Sequence, residues 1–233
     1  IDALAQFGIA SSNDFRQLFP ASLPPNVRMV LSVLAGKDSD QLLALYPHAP
    51  LVDIKPLTIS ACGMILDALM NERTLTDAQR TSVLASAGES GLPLWLALAA
   101  PLARRLASWN TPPEWPGDIK AMASHVIGRI AERHGSVLTM AALRYLRLAR
   151  FGLSETELQG ILWDDPDVRA EFEKSRNKDQ PVPESLPPIF WSRLYGELDP
   201  YINEYWMDGQ LLHRYFHRVF GEVAGEMDEA TRV

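Results

Sequence analysis

Ile202-Asn203-Glu204-Tyr205-Trp206-Met207-Asp208-Gly209-Gln210-Leu211-Leu212-His213-Arg214-Tyr215-Phe216 is the stretch on which the reading of the fold turns. Residues 202–206 and 211–216 are rich in aromatic and bulky aliphatic side chains. Between them stands Asp208-Gly209, a dipeptide suited to the tight turn of a two-residue hairpin. A closing helix is expected from His217 to about Glu229. Helical segments precede the hairpin. Residues 118–133 carry Ile119, Met122, Val126, Ile127 and Ile130 at helical spacing, and 138–150 follow after a stop at Gly135-Ser136. Then Ser154 precedes early acids at Glu155 and Glu157, which suit the positive end of a helix. A short helix over 166–174 and a proline-rich loop over 175–188 complete the approach to a further helix at 190–198. Three helices, a hairpin and a helix make a winged-helix-like unit.

Such a unit commonly binds DNA, and the charge argues against that use here. The chain of 233 residues carries 22 Lys+Arg against 29 Asp+Glu, a net −7. Residues 114–233 hold 14 basic and 20 acidic groups, a net −6, and 1–113 hold 8 and 9, a net −1. Neither half offers the positive footprint that duplex phosphate or an anionic membrane requires. No apolar run approaches the roughly 20 residues of a bilayer span. One cysteine, Cys62, precludes an internal disulfide and fits a reducing, cytoplasmic setting.

Upstream, the period changes twice. Val27 to Leu34 is a continuous apolar run suited to a strand covered on both faces, and 51–54 is a second short strand candidate. Asp38-Ser39-Asp40 is placed to cap a helix through Leu45. Ile59, Cys62, Ile65, Leu66 and Leu69 then recur at helical spacing, with Thr58 or Ser60 available as caps. Thr76 and Gln79 form a capping-box pair that opens a helix through Ser86. An apolar helix containing Pro101 is expected over 94–109, and Thr111-Pro112-Pro113 is the strongest linker candidate. The expected organisation is mainly α. A remnant of an α/β core covers 1–55, a helical domain 56–113 and a winged-helix domain 114–233.

In this order the segments resemble the distal part of a STAND-class P-loop NTPase of the NACHT/NB-ARC type, nearest to nephrocystin-like and telomerase-associated NACHT proteins. Five stretches carry the resemblance. Ile1-Asp2-Ala3-Leu4-Ala5-Gln6 resembles the Walker B strand end, and 23–32 the sensor-1 strand. Ser90-Gly91-Leu92-Pro93-Leu94 is similar to the Gly-x-Pro signature of the helical domain. Gly152 to Leu158 looks like the winged-helix entry, and 211–223 like the step bearing the winged-helix histidine. The resemblance implies a switch that closes over ADP and opens on exchange for ATP, permitting self-association and signalling. An effector domain would lie upstream and a sensor array downstream, and the first residue, Ile1, reads as the middle of a pattern.

By the same resemblance, Asp2 orients Mg²⁺ through its water, Pro93 packs on adenine beside Gly91, and His217 reaches the β-phosphate. Two departures qualify these roles. The second Walker B acid falls on Ala5, which cannot polarise water, and Val33 follows Ser32 where related NTPases often carry arginine. No G-x-x-x-x-G-K-[ST] loop occurs in the sequence, so catalysis by this chain alone is not expected.

Other readings of the same residues need no nucleotide. Gly91-Leu92-Pro93 also suits any helix start, since proline is welcome in a first turn. His213 and His217 have zinc-ligand spacing only if both are helical, and the hairpin opposes that. Gly88-Glu89-Ser90-Gly91 lacks the final glycine of a nucleophile elbow, because Leu92 stands there. Asp164, Asp165 and Asp167 read as a solvated helix end, Cys62 as core, and the six tryptophans as packing anchors. His48, His125 and His134 are expected at the surface or its boundary. The rival function is a nucleotide-independent helical interaction scaffold.

Overall fold

In the computed structural model, which describes residues 22–179 and 181–231, helices dominate and one two-stranded sheet is present. The chain divides into two units, Ile1–Lys55 and Pro56–Val233. In the first, α1 (Lys37–Leu45) follows Gly36, whose amide donates to Ser39 Oγ (3.0 Å). Leu42 of α1 gathers Met29, Leu31 and Val33 around it, while Val30 and Leu34 stay exposed. The run 27–34 therefore alternates, with one side covered. Among the described residues neither this run nor 51–54 pairs with another strand.

The second unit begins with α2 (Ile59–Met70), α3 (Asp77–Ser90) and α4 (Pro93–Ala103). Thr58 Oγ1, not Ser60, accepts from Ala61 N–H to start α2, and the Thr76–Gln79 box starts α3. Helix α4 stops at Ala103, short of the expected 109. Pro101 brings no N–H to the third turn and starves the carbonyl one turn earlier. The chain then turns through 104–110, where Asn110 Oδ1 accepts from Ala107 N–H (2.7 Å). Gln79 Nε2 donates to the carbonyls of Ala107 and Asn110, fixing this turn to α3.

Helices α5 (Ile119–His134), α6 (Ser136–Leu148) and α10 (Arg218–Thr231) pack together as the centre of the unit, with α4 against α5. The core runs without a break from Cys62 and Leu66 through Trp95 and Ile127 to Leu143 and Phe220, so it crosses the 113/114 position. Helices α7 (Glu155–Asp164), α8 (Pro166–Ser175) and α9 (Pro188–Leu198) flank it, and a 3₁₀ turn at Asp199–Tyr201 leads into β1 (Ile202–Met207) and β2 (Gln210–Tyr215). The strands pair antiparallel from Ile202↔Tyr215 to Met207↔Gln210. Asp208 and Gly209 both take positive φ, 51° and 80°, which matches a type I′ turn and its right-handed twist.

Leu153 adds a third, one-residue rung. It exchanges both backbone hydrogen bonds with His213 (2.8 and 3.1 Å). Gly152 makes this possible at φ +85°, because a Cβ there would lie well inside contact with the His213 carbonyl oxygen and 3.1 Å from its carbon. Gly152→Ala is accordingly expected to cost about 2–3 kcal/mol, from the left-handed backbone and the lost rung. Urea unfolding would measure it. A loss under half a kcal/mol would mean the rung contributes nothing.

Candidate functional site

The residues expected at the site fall on two helix starts. Gly91 closes α3 in the left-handed conformation (φ 62°), and its carbonyl accepts from Leu57 N–H (2.8 Å). It is buried, and a Cβ would stand 2.7 Å from that of Pro56. Gly91 thus supplies the turn and offers no surface to a ligand. Leu92 is the N-cap of α4 with no side-chain cap, and Pro93 is the first helical residue. Both are exposed, so the Pro93 ring is open to a flat partner beside a helix end bearing partial positive charge.

His217 stands immediately before α10 and is exposed. Its Nδ1 accepts from Val219 N–H (3.2 Å), so the imidazole caps the helix that it precedes. That bond requires an unprotonated Nδ1, which places the ring proton on Nε2, the nitrogen left to meet an anion. Tyr201 ties the two starts into one framework. Its hydroxyl donates to Leu98 O in α4 (3.3 Å), and its ring stacks on Phe220 of α10 at 5.1 Å and 6°. Burial raises its pKa well above the ordinary tyrosine value, so the hydroxyl remains a donor. Nothing in the sequence around Asp199-Pro200-Tyr201 signals this contact.

Asp2 and Ala5 lie outside the described residues. Among the described residues no three His, Cys, Asp or Glu side chains converge to hold a metal. His213 is on a strand and buried, 3.7 Å from Glu204 Oε1, as the hairpin requires. Cys62 is fully buried. Of the tryptophans, 95, 115, 163 and 191 are core, whereas Trp109 and Trp206 are exposed.

The aspartate group calls for a correction. Asp164 and Asp167 are exposed, but Asp165 is buried. Its Oδ1 caps α8 by accepting from Asp167 and Val168 N–H (2.9 and 3.2 Å), and its Oδ2 accepts from Arg144 Nη2 and Tyr145 OH (both 2.6 Å). Arg144 reaches on to Asp228 of α10 (3.2 Å). Burial pushes the Asp165 carboxyl up, yet the Tyr145 hydroxyl, the two amides and Arg144 outweigh it and hold it below the ordinary value. This network binds α6, the α7–α8 corner and α10 together. Its one legible sign is Asp165-Pro166, a capping residue before a proline at the first helical position.

No family profile matches the chain, and no solved structure does. The relatives are curated proteins much longer than this chain. The human NACHT domain- and WD repeat-containing protein 1 is 31% identical over 215 residues, which is 89% of this chain and 14% of that protein. Its mouse counterpart is 30% identical over 211 residues, 88% of this chain and 13% of that protein. The human NACHT and WD repeat domain-containing protein 2 is 27% identical over 87% of this chain. The chain thus spans only 12–14% of the length of these relatives. Among the described residues no helix is long and apolar enough to cross a membrane. A limited part of the NACHT- and WD-repeat proteins is what this chain resembles over nearly nine-tenths of its length, which supports a NACHT-type, NTPase-related region.

Proposed function

We propose that this chain is the distal, switch-bearing part of a STAND-class NACHT NTPase: the end of an α/β core (1–55), a helical domain (56–113) and a winged-helix domain (114–233). The observation that carries the reading is the likeness to NACHT-containing proteins along almost the whole chain. The order α6, Leu153 rung, α7, α8, α9, hairpin, α10 supports the winged-helix assignment. The chain ranks as a regulatory segment, and catalysis would need parts that it lacks.

The residues present suit a nucleoside diphosphate. Pro93 offers an exposed ring for a base, and the Nε2 side of His217, at the positive end of α10, suits a phosphate oxygen. Gly91 shapes the turn between α3 and α4, and Asp2 would orient Mg²⁺ through water. Bound nucleotide would supply the charge that distinguishes two states. A switch moves only by the difference in binding free energy between them. ADP would hold the three domains closed, and ATP would release the winged helix for self-association. The effector and sensor domains are proposed on either side, and the setting is cytoplasmic.

Acid release of nucleotide from the native full-length protein tests this directly. About one ADP per chain is expected, falling by roughly tenfold in His217→Ala, the scale of a lost charge-assisted hydrogen bond. Absence of nucleotide, with no rise in thermal stability on adding ADP and Mg²⁺, would overturn the reading in favour of a helical scaffold.

A further inference from the structure

Leu153 lies along one side of β2, and its two bonds with His213 show which way the backbone groups of the hairpin point. His213 turns its N–H and C=O toward Leu153. In an antiparallel pair its opposite number, Glu204, must then turn both groups the other way, off the free side of β1. Trp206, two residues on and opposite Leu211, does the same. The bond from Phe216 N–H to Tyr201 O (3.2 Å) fits this phase, in which 203, 205 and 207 bond to β2. Among the described residues no third strand lies beside β1, and no hydrogen bond engages the outward amides and carbonyls of Glu204 and Trp206.

Open edges are normally blunted by lysine, proline, a bulge or a covering segment. Residues 202–207 contain neither lysine nor proline, and their register against β2 runs one for one without a bulge. The only charged side chain of β1 is Glu204. Its carboxylate accepts from Tyr195 OH and stands 3.7 Å from His213 Nδ1. Trp206 is 73% exposed. A lone surface tryptophan is ordinary. This one stands on a residue whose amide and carbonyl are both open, and such groups at strand spacing are matched by another strand.

We propose that β1 pairs edge to edge with β1 of a second copy, in a continuous antiparallel sheet about a twofold axis at Tyr205. This gives a surface to the self-association proposed above, and rests on that part of the reading, not on the nucleotide site. With the axis at Tyr205, Glu204 faces the partner's Trp206, and Trp206 faces the partner's Glu204. Each of these pairs exchanges two backbone hydrogen bonds, so the open groups of both residues are satisfied. The register is selected by charge and length. Centring on Glu204 sets two carboxylates against each other, and centring on Trp206 runs into the turn at Asp208. A few hydrogen bonds and two partly covered indoles only roughly offset the entropy of association. The dimer is therefore weak, with a dissociation constant on the order of 0.1–1 mM.

Sedimentation equilibrium of the full chain, with amide exchange read by NMR on the same samples, tests the pairing. The mass should rise with concentration toward that of a dimer. At about 1 mM, exchange of the Glu204 and Trp206 amides should slow about two- to fivefold relative to dilute solution, following the monomer fraction. The Tyr205 amide, bonded within the hairpin, should be slow throughout. Trp206→Glu sets like charges across the interface and Trp206→Lys sets opposite ones, so Trp206→Lys should associate about fourfold or more tightly than Trp206→Glu. Both replace an exposed ring and keep the backbone, so folding is preserved. Absence of a concentration-dependent mass overturns the proposal. So does a dimer whose Glu204 and Trp206 amides exchange as in the monomer, or one indifferent to the sign of the charge at 206. Acid release of nucleotide judges the switch separately: a protein that keeps its ADP and associates through other residues loses this interface alone.

Discussion

Trp95→Ala is expected to destabilise the second unit by about 3–5 kcal/mol, the range for truncating a buried large aromatic. Trp95 is fully buried in α4. Its Nε1 donates to Pro116 O (2.6 Å), and Trp115 meets it edge-on at 6.3 Å. Truncation removes that packing and orphans the Pro116 carbonyl, a group on the segment joining α4 to α5. Trp95→Phe keeps most of the volume and loses only the N–H donor, so it should cost less than half as much. Denaturant midpoints of the two variants check the ranking. Equal losses would mean that the hydrogen bond, and not the volume, holds the segment.

The same substitution bears on the proposed site. Pro93 starts α4 two residues before Trp95, and Tyr201 fixes the other half of the helix at Leu98. An α4 loosened at Trp95 would present Pro93 in many orientations. Nucleotide retention by the full-length protein should therefore fall together with stability. His217→Ala behaves differently, because His217 is exposed and its cap contributes only about 0.5–2 kcal/mol. Trp95 acts through the fold and His217 through the contact.

Asp165→Ala is the second large effect, about 3–5 kcal/mol, the cost of leaving a buried partner charge uncompensated. Four donors lose their acceptor at once: Arg144, Tyr145 and the amides of Asp167 and Val168. Asp165→Asn retains an oxygen for the cap and loses the charge for Arg144, so an intermediate loss is expected. The pH dependence has a definite sign. The folded carboxyl sits below its ordinary value, so its stabilisation is complete above about pH 4, the ordinary aspartate range, and disappears as pH falls through the lower folded value. Stability of the parent should fall over that acid window, and the part of the fall due to Asp165 should vanish in Asp165→Asn. Parallel curves for the two proteins would remove the charge from the explanation.

Much of the helical framework was legible because the signals are local. Thr76 with Gln79, and Ser154 with Glu157, are capping pairs three residues apart, and both are formed. Asp208-Gly209 needs only its own backbone preference to close the hairpin. Pro101 was visible too, but its consequence was not. The hydrophobic pattern continued past it, while the missing N–H and the Gln79 contacts ended α4 at Ala103.

By itself the sequence determined the order of helices, their caps, the hairpin turn and the likeness to NACHT proteins, all of which rest on residues near one another or on their succession. Tertiary structure alone decided that Asp165 is a buried hub, that Tyr201 joins α4 to α10, and that Glu197 of α9 pairs with Arg105, in the turn after α4, and with Arg133 of α5. Those partners are up to 103 residues apart. The energy of each contact depends on burial and orientation, which neither side chain carries until the helices pack. Asp165 looks like its solvated neighbours Asp164 and Asp167 in the chain, and only the arrival of Arg144 and Tyr145 from α6 makes its burial affordable in free energy.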